Sequence, residues 1–231
     1  MKETKKLRKT FNPSEEKKTR HARRYFFAAL ILLAAFGLWT AAICFVDVRA
    51  IGPQGSRVGF AAMNQAIHSF FGVHMPLYTL TDYLGLIPVF MMLGFAVLGL
   101  CQWIARGSIF KTDRDILLLG GFYILLTAAY LLFEKFSPNF RPVLINGYLE
   151  ASYPSSTTLL VLCVCLSAMV QVKKSIRGKT AQNILLLSLG IFSAFMVIGR
   201  LLSGVHWFSD IVGGILLSMG LVSLYAAGTE I

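Results

Sequence analysis

The sequence predicts an all-α integral membrane protein, a bundle of six spanning helices with both termini in the cytoplasm. Three observations carry that expectation. The 231 residues are 56% hydrophobic and only 14% charged, where a soluble domain carries about 25% charged residues. Six apolar runs approach or reach the roughly 20 residues that a helix needs to cross the hydrocarbon core. Basic residues gather in alternate connections. Together these exclude an ordinary cytosolic enzyme, a disordered tail and a disulfide-stapled secreted module.

A basic tail comes first. Residues 1–24 hold ten Lys or Arg and three acids, +7 of the chain's formal +11. The remainder, 25–231, reads as one domain. Its spans are expected at 25–46, 83–105, 116–133, 155–172, 183–198 and 207–227. The first is too long, and too well accompanied by later ones, to be a cleaved signal peptide. Arg106, Lys111 and Arg114 follow the second span, and Lys173, Lys174, Arg177 and Lys179 follow the fourth. By the positive-inside rule these loops and both termini face the cytoplasm, as suits a multi-pass protein of the cell membrane. The tail offers almost none of the aromatic and base-reading residues of a nucleic-acid partner, so the expected partners are lipids. Nothing in the sequence speaks to oligomeric state.

Between the first two spans, Phe60, Met63, Ile67 and Phe71 recur at three- and four-residue steps. That period predicts a helix lying in the outer interface. Cys44, Cys101, Cys163 and Cys165 lie in or beside apolar runs with no disulfide or zinc spacing, and read as packing residues. No metal-ligand cluster is found and no cofactor is expected.

Polar residues of the second half converge on the outer face. Lys135, Arg141 and Pro142 follow the third span. Tyr153, Pro154, Ser155, Ser156, Thr157 and Thr158 open the fourth. Arg200, Ser203, Gly204, His206 and Asp210 surround the turn before the sixth. Charged groups near membrane depth are costly and mark function or pairing. His206 and Asp210, four apart, would share a helical face. A carboxylate on one imidazole nitrogen leaves the other free as nucleophile or base. Two guanidinium groups suit the oxygens of a phosphate, and the start of a helix carrying Ser155 and Ser156 favours an anion.

The stretches KFSPNFRP, YPSST and GRLLSGVHWFSD resemble the three signature motifs of the type-2 phosphatidic acid phosphatases, the lipid-phosphate arm of a superfamily shared with vanadium haloperoxidases. The resemblance covers about residues 80–228, and Arg200, His206 and Asp210 match the third motif in spacing. It implies that His206 attacks phosphorus to form a phosphohistidine, with Asp210 orienting it. Arg141, Arg200 and Lys135 would hold the phosphoryl oxygens, and Ser155 with the backbone of Ser156 would complete the cradle. No metal is implied.

Three departures stand out. Lys135 is six residues before Arg141 rather than seven, and Glu134 takes the family's Lys position. Gly199 replaces a Ser. Thr157 stands where the second motif has the His that protonates the leaving oxygen. An alkoxide has a conjugate acid near water's pKa of about 15.7 and leaves slowly without a proton, whereas a phosphomonoester, with a second pKa of about 6, departs unaided. A lipid diphosphate such as a polyprenyl diphosphate is therefore the expected substrate, ahead of a lipid monophosphate. Tyr153, Glu150 and His74 are the candidate replacement acids. Alternatives are a weak or inactive relative that binds lipid phosphate, a phosphotransferase using an alcohol acceptor, and a small transporter with a basic site.

Overall fold

The computed structural model describes residues 13–230. They form eight α-helices: α1 (Pro13–Phe45), α2 (Ala61–Phe71), α3 (Met75–Leu84), α4 (Leu86–Arg106), α5 (Arg114–Lys135), α6 (Ser156–Ser175), α7 (Lys179–Leu202) and α8 (Phe208–Glu230). Six stretches are long and apolar enough to cross a membrane, with α3 and α4 counted as the single stretch Met75–Arg106. The part of the basic tail in residues 1–12 lies outside the described residues. Lys17, Lys18, Arg20, Arg23 and Arg24 lie on the exposed first turns of α1, so the expected boundary at residue 24 falls inside a continuous helix.

The helices outrun the hydropathy windows. The window expected at 183–198 is the middle of a helix that continues through Arg200, because a buried arginine interrupts hydropathy but not helical geometry. The helix expected from Phe60 to Phe71 forms as α2. Its neighbour α3 was hidden within the apolar run before Leu86. Pro76 sits in the first turn of α3, where its missing N–H costs nothing, and Gly85 joins α3 to α4.

The bundle is built around α6 and α8. Within their apolar windows 61% and 56% of residues are buried, against 6% along Met75–Arg106. Helix α8 lies along α1 and α6, and α6 also packs on α7. Phe36, Leu119, Phe122, Tyr123, Tyr153, Leu159, Leu217 and Tyr225 share one core cluster. Close approach is allowed by small residues: a side chain at Gly213 would run into the ring of Tyr153. By contrast, Phe90, Leu93, Val97 and Ile104 of α4 are exposed, a surface that suits hydrocarbon rather than water.

The two ends of the bundle differ. At one end, the basic connections are closed by ion pairs between Arg106 and Asp113 (2.7 Å) and between Lys174 and Asp115 (3.0 Å). The other end carries α2, the loop 136–155 and the turn 203–207, and it gathers the motif residues.

Candidate active site

The loop between α5 and α6 is a small hairpin. Phe140 and Ala151 form an antiparallel bridge, Arg141 N donates to Glu150 O (3.1 Å) and Ser152 N to Asn139 O (3.0 Å). Asn146 and Gly147 turn its tip with both residues at positive φ, the conformation that favours an Asn-Gly pair. Because side chains alternate along extended backbone, Asn139 and Arg141 on one arm share a face with Glu150 and Ser152 on the other.

That face meets the α7–α8 turn. Arg200 occupies the last turn of α7 and is 1% exposed. Gly204, at φ +68°, then reverses the chain against the backbone of Gly72, where a side chain has no room. His206 lies in this turn, two residues before α8 begins. It therefore does not share a helical face with Asp210, contrary to the i,i+4 expectation, and no direct bond joins them. The hydroxyl of Ser152 stands between: it donates to Asp210 Oδ2 (2.5 Å) and lies 3.0 Å from His206 Nδ1.

Asp210, fully buried, accepts from three further donors: Asn139 Nδ2 (3.0 Å), Trp207 N (3.0 Å) and Ser209 Oγ (3.4 Å). All are donors, the partner set of an ionised carboxylate. Its bond to Trp207 N also closes the first turn of α8. Asn64 of α2 reaches the same cluster, donating to Ser209 Oγ at 2.8 Å and accepting from Ser209 N at 3.1 Å.

On its other side, His206 Nε2 lies 3.4 Å from Arg141 Nη1 and 3.4 Å from Arg200 Nη2. Burial holds the His206 imidazole well below the usual histidine range, and the two guanidinium charges push it further down. It is neutral at neutral pH. Both arginines have donors to spare. Arg200 Nε has no hydrogen-bond partner, and Arg141 Nε lies 3.1 Å from Glu150 without the alignment of a hydrogen bond. Arg200 Nη1 is 3.7 Å from the exposed carboxylate of Asp82 and 3.4 Å from Thr81 Oγ1. The Tyr78 ring lies 4.8 Å from the Arg200 guanidinium carbon and 5.9 Å from that of Arg141, cation–π distances.

Two adjoining clefts open here. One, of about 300 Å³, is lined by Tyr130, Glu134, Arg141, Glu150, Ser152, Tyr153 and Ser156, among others. The other, of about 360 Å³, is lined by Asp82, Gly85, Thr127, Tyr130, Ser156 and Thr157, among others. Their lining residues include no histidine.

The structure thus brings together His206, Asp210, Arg141 and Arg200, with Ser156 and Thr157 on the cleft walls. It does not bring in Lys135, which is exposed with its ammonium 5.5 Å from the centre of the Phe136 ring; Glu134 faces the cleft instead. Ser155 caps α6, its hydroxyl accepting from Thr158 N (3.5 Å), so that hydroxyl is already engaged. Of the candidate replacement acids, Tyr153 is bonded through its hydroxyl to Thr40 (2.6 Å) in the bundle core, and His74 is bonded to the Phe71 carbonyl (2.8 Å) at the start of α3. Neither faces the clefts with a free acid, and Glu150 does. Sequence reasoning missed Ser152, Asn139, Tyr78 and Asp82. The Asn-Gly pair between Ile145 and Tyr148 was a readable signal for the hairpin that carries two of them.

The sequence profile of the PAP2 superfamily matches residues 89–229, more than half of the chain. The chain belongs to the PAP2 superfamily. Its fold resembles the crystal structure of a transmembrane PAP2-type phosphatidylglycerolphosphate phosphatase from Bacillus subtilis, with a TM-score of 0.58 over 87% of this chain and 94% of that one at 17% identity. Six candidate spanning helices and this likeness describe a multi-pass integral membrane protein. No curated protein sequence matches the chain. The matched segment of this PAP2 protein contains the hairpin, Arg200, His206 and Asp210, whereas Tyr78, Thr81 and Asp82 precede it.

Proposed function

We propose that this PAP2 protein is a membrane lipid phosphatase or pyrophosphatase that works through a phosphohistidine on His206. The observation that carries the reading is the imidazole itself: buried and neutral, with Nε2 at 3.4 Å from two guanidinium groups that have unused donors. A phosphoryl group seated on Arg141 and Arg200 would meet the Nε2 lone pair. The N–P bond forms as the bond to the leaving oxygen breaks, and that oxygen takes the electron pair. The guanidinium groups stabilise charge on the equatorial oxygens. Water then attacks phosphorus, the N–P electron pair returns to Nε2, and the proton of water departs on the phosphate. Ser156, at the start of α6, adds a polar cleft wall beside free backbone N–H groups.

Lipid substrates are supported by a third, apolar cleft of about 500 Å³ between α4 and α5, which meets the second cleft at Met92. The basic connections at the opposite end support an orientation with both termini, the tail of residues 1–24 included, in the cytoplasm and the site at the outer leaflet of the cell membrane. Thr157 on the cleft wall, with no histidine beside it, supports a substrate whose leaving group needs no proton, and a polyprenyl diphosphate has that chemistry. The phosphate acceptor in this reading is water.

The test is phosphate release in detergent, with chelator present, from a polyprenyl diphosphate and from phosphatidic acid. Release is expected to be faster from the diphosphate and to vanish in His206→Ala. Equal turnover of both lipids with Thr157 intact overturns the leaving-group argument. No release from either lipid by folded protein overturns the hydrolase reading, and equilibrium binding of the same lipids then tests a relative that binds without turnover.

A further inference from the structure

We infer that Ser152 is the positioning residue of the nucleophile, its hydroxyl rather than the Asp210 carboxylate fixing the tautomer and heading of His206. The inference deepens the phosphohistidine reading, although its central observable, the protonated nitrogen of the resting imidazole, does not depend on turnover.

Proton counting gives the tautomer. Asp210 Oδ2 accepts and cannot donate, and at 2.5 Å it takes the single hydroxyl proton of Ser152. Ser152 Oγ then has only lone pairs to offer Nδ1 at 3.0 Å, so Nδ1 is the protonated nitrogen. The opposite side agrees, through contacts that at 3.4 Å are too long to hold the tautomer by themselves. Nε2 faces guanidinium N–H groups of Arg141 and Arg200, which only donate, so Nε2 keeps its lone pair. The nitrogen aimed at the phosphate position is the unprotonated one.

Ser152 is suited to hold this arrangement. It is 2% exposed, and its backbone is tied to Asn139 O (3.0 Å) across the hairpin. Asn139 in turn bonds Asp210 and accepts from Gly59 N (3.1 Å). A serine hydroxyl swings about one bond, so it passes the pull of a distant carboxylate to the ring without requiring His206 and Asp210 to touch. When Nε2 gains phosphorus the ring becomes cationic and keeps its Nδ1 proton, and Ser152 Oγ and Asp210 face that charge.

Nitrogen NMR of detergent-solubilised full-length protein with 15N-labelled histidine tests this directly. The chain has four histidines, and His206→Asn assigns the signal. Wild-type His206 is expected to show Nδ1–H and a bare Nε2 from pH 7 to 8. Ser152→Ala is expected to lose that preference and to lower kcat by at least about 100-fold, toward the roughly 10⁴-fold of a wrong tautomer in a catalytic triad, with little change in KM. Ser152→Thr, which keeps the hydroxyl, is expected to restore the tautomer and much of kcat. An Nε2–H tautomer in the wild type, or an unchanged tautomer and kcat in Ser152→Ala, overturns the proposal. If Ser152→Ala does not fold, the wild-type and Ser152→Thr spectra still decide it. If no lipid is turned over, an Nδ1–H signal present in the wild type and lost in Ser152→Ala upholds Ser152 while the phosphatase reading fails.

Discussion

The two nitrogens of His206 face unlike surroundings. Behind Nδ1 lies a closed polar network: Ser152, Asp210, Asn139, Ser209 and Asn64 are all buried and bonded to one another. In front of Nε2 lies an open one: Arg141 and Arg200 have spare donors and only half-exposed or exposed carboxylates, Glu150 and Asp82, beside them. Saturation on one side holds a geometry, and deficiency on the other leaves something for a ligand to complete. A buried donor without a partner costs roughly 1–3 kcal/mol, which an arriving phosphate would recover.

Breaking the comparison at its centre gives the largest expected effect. His206→Ala leaves both sides in place without the nucleophile. Phosphate release should fall about 10⁴-fold or more, with thermal stability in detergent nearly kept. Next comes the open side. Arg200→Ala is expected to lower kcat/KM by about 10²–10³-fold, the usual scale for one donor to transition-state charge. It should also move the pH profile. The reaction needs neutral His206, so kcat/KM falls as pH drops through the imidazole pKa of the free enzyme. Burial and the two arginines hold that pKa well below 6.5. Removing one positive charge raises it, so the acid limb should shift to higher pH in Arg200→Ala and in Arg141→Ala. A limb that stays in place in both variants would show that the arginines do not bear on the nucleophile.

The closed side is sharpened by Asn139→Ala. That change removes a donor from Asp210 and the acceptor of Gly59 N at once. Gly59 N is then left buried and unpaired while Asp210 keeps its donors from Ser152, Trp207 and Ser209, so the cost should be about 1–3 kcal/mol, read as a lower midpoint of thermal unfolding. A smaller effect is expected at Asp82 and Glu150. Asp82→Asn and Glu150→Gln remove carboxylates that compete with a phosphate for the arginines. Exposed pairs contribute only about 0–1 kcal/mol, so KM should fall by a few-fold at most. If Glu150 or Asp82 instead serves as a replacement acid, its variant would lose turnover of phosphatidic acid while keeping that of the diphosphate.

The same contrast explains what could be read from the sequence. The open side was legible because its residues sit in fixed local spacings, with Arg200 six residues before His206, and Asp210 of the closed side was legible in the same way, four residues after it. The long apolar windows were legible because lipid imposes a length. The rest of the closed side was not. Ser152 and Asp210 are 58 residues apart, and Asn64 and Ser209 are 145 apart, contacts that no periodicity encodes. Helix α3 was missed for another reason. Tyr78 and Asp82 sit in an apolar run that hydropathy joins to α4, and only the geometry turns them toward Arg200.

The smallest expected effect is at Lys135, and it separates motif spacing from position in space. Aligned by residue type, Lys135 answers for the family's lysine, but it stands one residue late. One residue is about 100° of helical rotation. At the last position of α5 that rotation points Lys135 away to the Phe136 ring and turns Glu134 into the cleft beside Arg141. Lys135→Ala should therefore change neither kcat nor KM beyond experimental error. Glu134→Lys replaces a carboxylate with an ammonium in the cleft, two units of charge, and should lower KM for either lipid in a manner that fades with added salt, as long-range attraction does. A loss of activity in Lys135→Ala would mean that α5 unwinds at its end to bring the ammonium to the phosphate. The helix would then yield to the motif, rather than the motif to the helix.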